Sequence, residues 1–165
     1  MAPSTRPITS PGTLLPCSAI ALRVEVPEND DEAPLHRHRK GQLVLALRGA
    51  VICEVPGAVW LVSPHCAVWV PGDLQHSNRV TPNARICLLF VEPGAAALPD
   101  HPCTLAISPL VRELMQHLAG LPREYPPDSP IARLAGVLLE ELADMPVERL
   151  HLPISDEPRL RRIAD

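Results

Sequence analysis

In the first half of the chain, apolar residues come in short runs, each closed by glycine or proline. Residues 20–26 alternate in part. Residues 42–48 are almost continuously apolar and end at Gly49. Residues 50–55 stop at Pro56-Gly57, and runs 58–62 and 66–70 are parted by Ser63-Pro64. Residues 85–92 supply one more. Runs of this length with this punctuation predict strands, and their regular recurrence predicts an all-β sandwich or barrel. The chain has 21 prolines in 165 residues, more than twice the usual share of about 5%. They fall mostly between the runs, where they act as stops.

From residue 108 the period changes. Ser108-Pro109 is an N-cap followed by a first-turn proline, and Leu110, Val111, Leu114, Met115 and Leu118 form a stripe at helical spacing that Gly120 can end. Ser129-Pro130 repeats the start signal. Ile131, Leu134, Ala135, Leu138, Leu139 and Leu142 form a second stripe, stopped by Pro146. The two stripes predict an antiparallel two-helix hairpin. Two uses fit them: covering the open face of the sheet, or forming a dimer seam through Leu134, Leu138 and Leu142. The partition expected is an arm over 1–16, a barrel over 17–100, the hairpin over 101–150, and a linker with the start of a further helix over 151–165.

Composition narrows the class. Apolar residues make up 46% of the chain and aromatics only 2%, so one aliphatic core is expected. The formal net charge is -4, whereas a chain that grips DNA by itself carries a basic excess. The five cysteines, Cys17, Cys53, Cys66, Cys87 and Cys103, include no CxxC pair and read as buried reduced thiols. The polar, proline-rich start has no signal-peptide core and no membrane-spanning run occurs. The expected location is the cytoplasm.

The candidate chemistry lies in Pro34-Leu35-His36-Arg37-His38-Arg39-Lys40-Gly41-Gln42 and in Pro71-Gly72-Asp73-Leu74-Gln75-His76. Positions two apart on a strand face one side, so His36 and His38 are expected to point together. With His76 from another strand they offer imidazoles to a divalent transition metal such as Zn, Ni or Fe, with Gln42 as a neutral oxygen donor. The same rings also suit a metal-free polar pocket. Trp60 and Trp69 are expected in the core or in the wall of a ligand pocket. His65, His101, His117 and His151 read as surface or hydrogen-bonding residues, and Arg37 and Arg39 as solvated.

The spacing His36-x-His38-x3-Gln42-x6-Gly49 resembles the first cupin motif, with glutamine in place of the usual glutamate. Pro71-x4-His76 is similar to the second, although Gly72 and Asn78 both stand earlier than the motif's glycine and asparagine. More closely, the chain resembles the N-terminal regulatory domain of AraC-family transcription regulators. Residues 38–43, 60–64 and 67–71, the helix opened by Ser108-Pro109, and the arginine-rich close over 157–165 carry that likeness. The resemblance implies a mainly β cupin double-stranded β-helix, or jelly-roll barrel, followed by a helix hairpin. It also implies a homodimer, a small-molecule effector in the barrel, and DNA contact only through a C-terminal domain. The competing class is a metal-dependent cupin enzyme, a small dioxygenase or isomerase. The glutamine ligand and the lack of an acid/base partner better than Glu54 count against it.

Overall fold

The computed structural model describes residues 17–26, 31–62, 64, 66–149 and 152–153. The expected arm, His65, His151 and all but two residues of the expected C-terminal segment lie outside the described residues. Eleven strands and two helices follow in the order β1 (Ala19–Glu25), β2 (Asp31–His36), β3 (Gly41–Arg48), β4 (Val51–Val55), β5 (Ala58–Val62), β6 (Cys66–Val70), β7 (His76–Val80), β8 (Arg85–Val91), β9 (Cys103–Ala106), α1 (Pro109–Ala119), α2 (Pro130–Ala143), β10 (Val147–Glu148) and β11 (Leu152–Pro153).

The strands form two antiparallel sheets, β1-β8-β3-β6-β9-β10 and β11-β5-β4-β7-β2. The barrel core lies between them. Val44, Val70, Ile86, Leu88 and Phe90 of the first sheet meet Val51, Cys53, Trp60, Val62 and Val80 of the second. A second core occupies the other face of the first sheet, where Leu43, Leu45, Ala67, Trp69 and Leu89 pack against both helices. This explains the sequence pattern. β3 and β8 are buried on both faces and so read as continuous apolar runs. β4 has one solvated face and alternates. The mainly β, barrel-plus-two-helices architecture is the one the pattern predicts.

The boundaries differ from those expected. The barrel does not stop at residue 100, because β9 pairs with β6 and β10 pairs with β9. The chain also returns to the second sheet through β11, which pairs with β5. These pieces are two to four residues long, too short to show a period. β2 contains Pro34 and β7 is largely polar, so neither has the apolar signature of a strand. Pro34 is tolerated because β2 is the edge strand of its sheet.

Both helices start as their sequences indicate. The Ser108 hydroxyl accepts from Val111 N and the Ser129 hydroxyl from Ala132 N, each at 3.2 Å, with proline in the first turn. Their stripes are committed within the chain. Val111, Met115 and Leu118 of α1 and Ala135, Leu138, Leu139 and Leu142 of α2 are buried against the first sheet. The expected seam through Leu134, Leu138 and Leu142 is corrected accordingly. Leu138 is 0% and Leu142 1% exposed, and Leu134 packs on the same cluster, because this sheet face has no other cover. Leu138→Ala should therefore destabilise the chain by about 2–5 kcal/mol through loss of core contacts. Urea unfolding checks it, and a loss below about 0.5 kcal/mol, the surface range, would contradict this packing.

Candidate metal centre

Three strand ends converge at one end of the barrel. His36 closes β2 and pairs with His76, which opens β7. Gln42 is the second residue of β3, on the face it shares with Val44. His38 lies beyond β2, in the connection to β3. The two histidines thus do not share a strand face as expected. They meet because β2 changes register between Ala33 and His36 and the chain then turns. The ring centroids are 4.4 Å (His36–His76), 5.0 Å (His38–His76) and 5.6 Å (His36–His38) apart. One potential ligand nitrogen from each falls within 4.8 Å of the others. Phe90 borders the site, 5.4 Å from the His38 ring. Arg37 and Arg39 are exposed, as expected.

The hydrogen bonds fix which ring atoms face the centre. Nδ1 of His36 lies 2.7 Å from the Pro34 carbonyl, Nδ1 of His38 lies 2.7 Å from that of Lys40, and Nδ1 of His76 lies 2.9 Å from that of Leu74. A carbonyl only accepts, so in each neutral ring Nδ1 carries the proton and Nε2 keeps a lone pair. The Gln42 Oε1 atom lies 2.9 Å from His38 Nε2 and 3.2 Å from His76 Nε2. As placed, an acceptor faces two acceptors. A cation among them relieves that contact, and so does turning the Gln42 amide so that its NH2 donates. Burial pushes His76 down to about 4, helped by His36 and His38 and opposed by the Leu74 hydrogen bond. Its ring is therefore neutral near pH 7, the form a metal requires.

Neighbouring backbone holds the His38 connection in place. Asp73 N donates to the His38 carbonyl at 2.8 Å. Gly72 lies so close that a Cβ there would sit 2.1 Å from the Arg39 carbonyl oxygen. Gly41 abuts the Trp69 ring in the same way. Arg39 and Lys40 both reach Glu92 at the end of β8, the latter with Nζ–Oε2 at 3.7 Å.

The structure separates the two tryptophans. Trp60 is in the barrel core between the sheets. Trp69 is on the opposite face, under the helices, with its indole N–H donating to the Pro99 carbonyl at 2.7 Å. Trp69 therefore cannot wall the barrel interior, because it sits one residue out of phase with the inward Val68 and Val70. His101 is exposed beside Asp100, and His117 is exposed on α1. Glu54 is exposed on the outer face of β4. The five cysteines form no disulfide, and burial raises Cys53 and Cys87 to about 12 and Cys103 to about 11. One residue carried more than its sequence position indicated. Asn78 is two places beyond His76 on the same inward face of β7, and its buried Oδ1 has no hydrogen-bond partner among the described residues. Its spacing from His76 was the available signal.

The depressed His76 value has a pH consequence with a definite sign. The unfolded chain takes up the proton near pH 6.5, whereas the folded metal-free chain resists it down to about pH 4. Stability from this group is therefore complete above pH 6.5 and is lost as pH falls toward 4. Denaturant midpoints of chelator-treated protein should fall across that window, and His76→Gln should flatten the trend. An unchanged slope in His76→Gln would contradict the assignment.

Comparison with known proteins agrees with this architecture. The AraC-like ligand binding domain family matches residues 22–152. Over 148 residues the chain is 45% identical to the HTH-type transcriptional regulator NimR of Escherichia coli (strain K12), covering 90% of this chain and 54% of that protein. It thus spans about half the length of the curated relative it matches. Among solved structures, the AraC-like transcriptional activator CuxR superposes with a TM-score of 0.56 at 14% identity, over 86% of this chain and 56% of that one. Apo ToxT from Vibrio cholerae does so with a TM-score of 0.52 at 6% identity, over 89% and 63%. At those identities the likeness is one of fold. The chain belongs to the AraC-like ligand-binding domain family.

Proposed function

We propose that this domain senses a small effector at a divalent transition metal, and that it serves as the regulatory part of a homodimeric DNA-binding transcription regulator. The observation that carries the metal reading is the common orientation of the three imidazoles. Each Nδ1 is tied to a backbone carbonyl, which leaves each Nε2 a lone pair; those of His38 and His76 lie beside Gln42 Oε1, and one ring nitrogen of His36 falls within 4.8 Å of theirs. His36, His38 and His76 would hold the ion and Gln42 would complete the set. Imidazole nitrogen with one neutral oxygen suits Zn, Ni or Fe(II). When bound, the ion supplies Lewis acidity and an exchangeable coordination position.

The regulatory half of the proposal draws on family membership and on the likeness to NimR. DNA contact belongs to a region corresponding to the half of NimR that this chain does not span, in keeping with the -4 charge of these residues. With the α2 stripe buried, a homodimer forms through other surface. The free thiols fit a reducing compartment, and no helix among the described residues is long and apolar enough to cross a membrane; the cytoplasm accommodates both. The enzyme reading loses its acid/base residue, since Glu54 faces away from the barrel interior. Effector control requires that the domain bind its effector with unequal affinity in two states.

Two measurements test this. Metal titration followed by native mass spectrometry should find one ion per chain. His76→Ala should weaken binding by more than about 100-fold, beyond the roughly 10–100-fold that losing an outer-shell partner costs. A chain that binds no metal would assign the site to the turned Gln42 amide instead. In the full-length regulator, operator affinity should change about 5–150-fold, the usual range of allosteric coupling, between metal-loaded and effector-saturated protein. Identical affinities in both conditions would remove the sensing mechanism.

A further inference from the structure

One inward strand position from the site residues, the barrel contains a small void. It is lined by Ala33, Val44, Val51, Asn78, Val80, Ile86 and Leu88, with room of about 10 Å³, roughly that of one water-sized molecule. Its position follows from the register. Three strands each carry a site residue and, at the next inward position, a residue of the void: Gln42 then Val44 on β3, His76 then Asn78 on β7, and His36 then Ala33 on β2, where the register shift absorbs the extra residue. The void therefore lies one inward step along these strands from the site, although none of the three histidines nor Gln42 is in its lining.

All but one of its lining residues are aliphatic. The exception is Asn78, which is 7% exposed and whose Oδ1 has no hydrogen-bond partner among the described residues. A buried carbonyl without a partner is destabilising and uncommon. The Asn78 side chain is the one polar group among the residues that line the void. The ligand set above contributes a second demand. Three neutral imidazoles and a neutral amide leave the full charge of a divalent ion uncompensated beside an apolar core, which favours an anion in the open position.

We propose that the effector of this site is a small monoanion that retains one proton, with its charged oxygen on the metal and its O–H donating to Asn78 Oδ1. This rests on the metal reading above and adds the class of ligand. The size limit comes from the void, which admits about one water-sized group, so only the O–H end of the anion enters it and the rest stays at the level of the histidines. Anything larger displaces Ile86, Leu88 or Val44, each at most 2% exposed. A sugar-sized or lipid-sized effector is therefore excluded from this level of the barrel.

Bicarbonate and nitrate make a matched pair of probes. Both are planar, trigonal, singly charged oxyanions, and only bicarbonate carries an O–H. The test titrates each into the Co(II)-loaded chain and follows the visible Co(II) bands. Asn78→Leu removes the carbonyl at similar volume. Asn78→Ala, read beside it, removes the carbonyl without filling the void. The expected result is a preference for bicarbonate over nitrate that falls about tenfold in both variants, the size of one hydrogen bond to a charged group, with Co(II) affinity unchanged. The metal-free Asn78→Leu chain should melt at or above the parent temperature, because no native partner is lost. A preference that survives in both variants overturns the proposal. So does a preserved preference together with a lowered melting temperature, which would make Asn78 the anchor of a structural water. If Co(II) does not bind at all, the metal reading fails and this inference fails with it. Binding with an unaltered preference rejects the inference alone.

Discussion

Three backbone carbonyls, those of Pro34, Lys40 and Leu74, decide what the end of this barrel can do. Each takes the Nδ1 proton of one histidine and so leaves a lone pair on the opposite nitrogen. Without them each ring could turn, or hold its proton on the inner side, and the converging geometry would not define a donor set. Each carbonyl comes from a residue two places from its histidine, so the orientation is built into local chain geometry and does not depend on distant packing. The cradle is in turn held by the fold, because Asp73 N and Gly72 pin the segment between His38 and Lys40 against the start of the β7 approach.

Much of the architecture was legible in the sequence, and the reason is the double burial of the first sheet. Strands covered on both sides, such as β3 and β8, leave continuous apolar runs that nothing else in a short segment imitates. Serine-proline pairs placed both helix starts. The weak points were strands without an apolar signature. β2 carries Pro34 at a sheet edge, β7 is mostly polar because it turns site residues inward, and β9 to β11 are too brief to show alternation. Assigning the helix stripe was a different problem. Periodicity identifies a buried face but not what buries it, and here the first sheet takes Leu138 and Leu142.

The site was partly legible. The structure gathers His36, His38, Gln42 and His76, the residues that the motif spacing groups, although His36 and His38 do not share a strand face. Composition does not tell Trp60 and Trp69 apart, because they stand nine positions apart across a turn and each belongs to a different strand phase. Asn78 was passed over as a misplaced motif residue. Its importance is a matter of what it lacks, a hydrogen-bond partner, and that can be seen only in three dimensions.

The two-residue strand β11 ties the last described residues to the sheet that carries the site. It attaches to β5, in the same five-stranded sheet whose far side carries His36 and His76. Adjacent strands share one accumulating twist, so the edge that carries His36 and the edge formed by β11 belong to one continuous layer. A pairing this short has little grip. The pairing of Leu152 with Val59 and of Pro153 with Ala58 is thus a two-residue attachment on the margin of the sheet opposite the strand that carries His36.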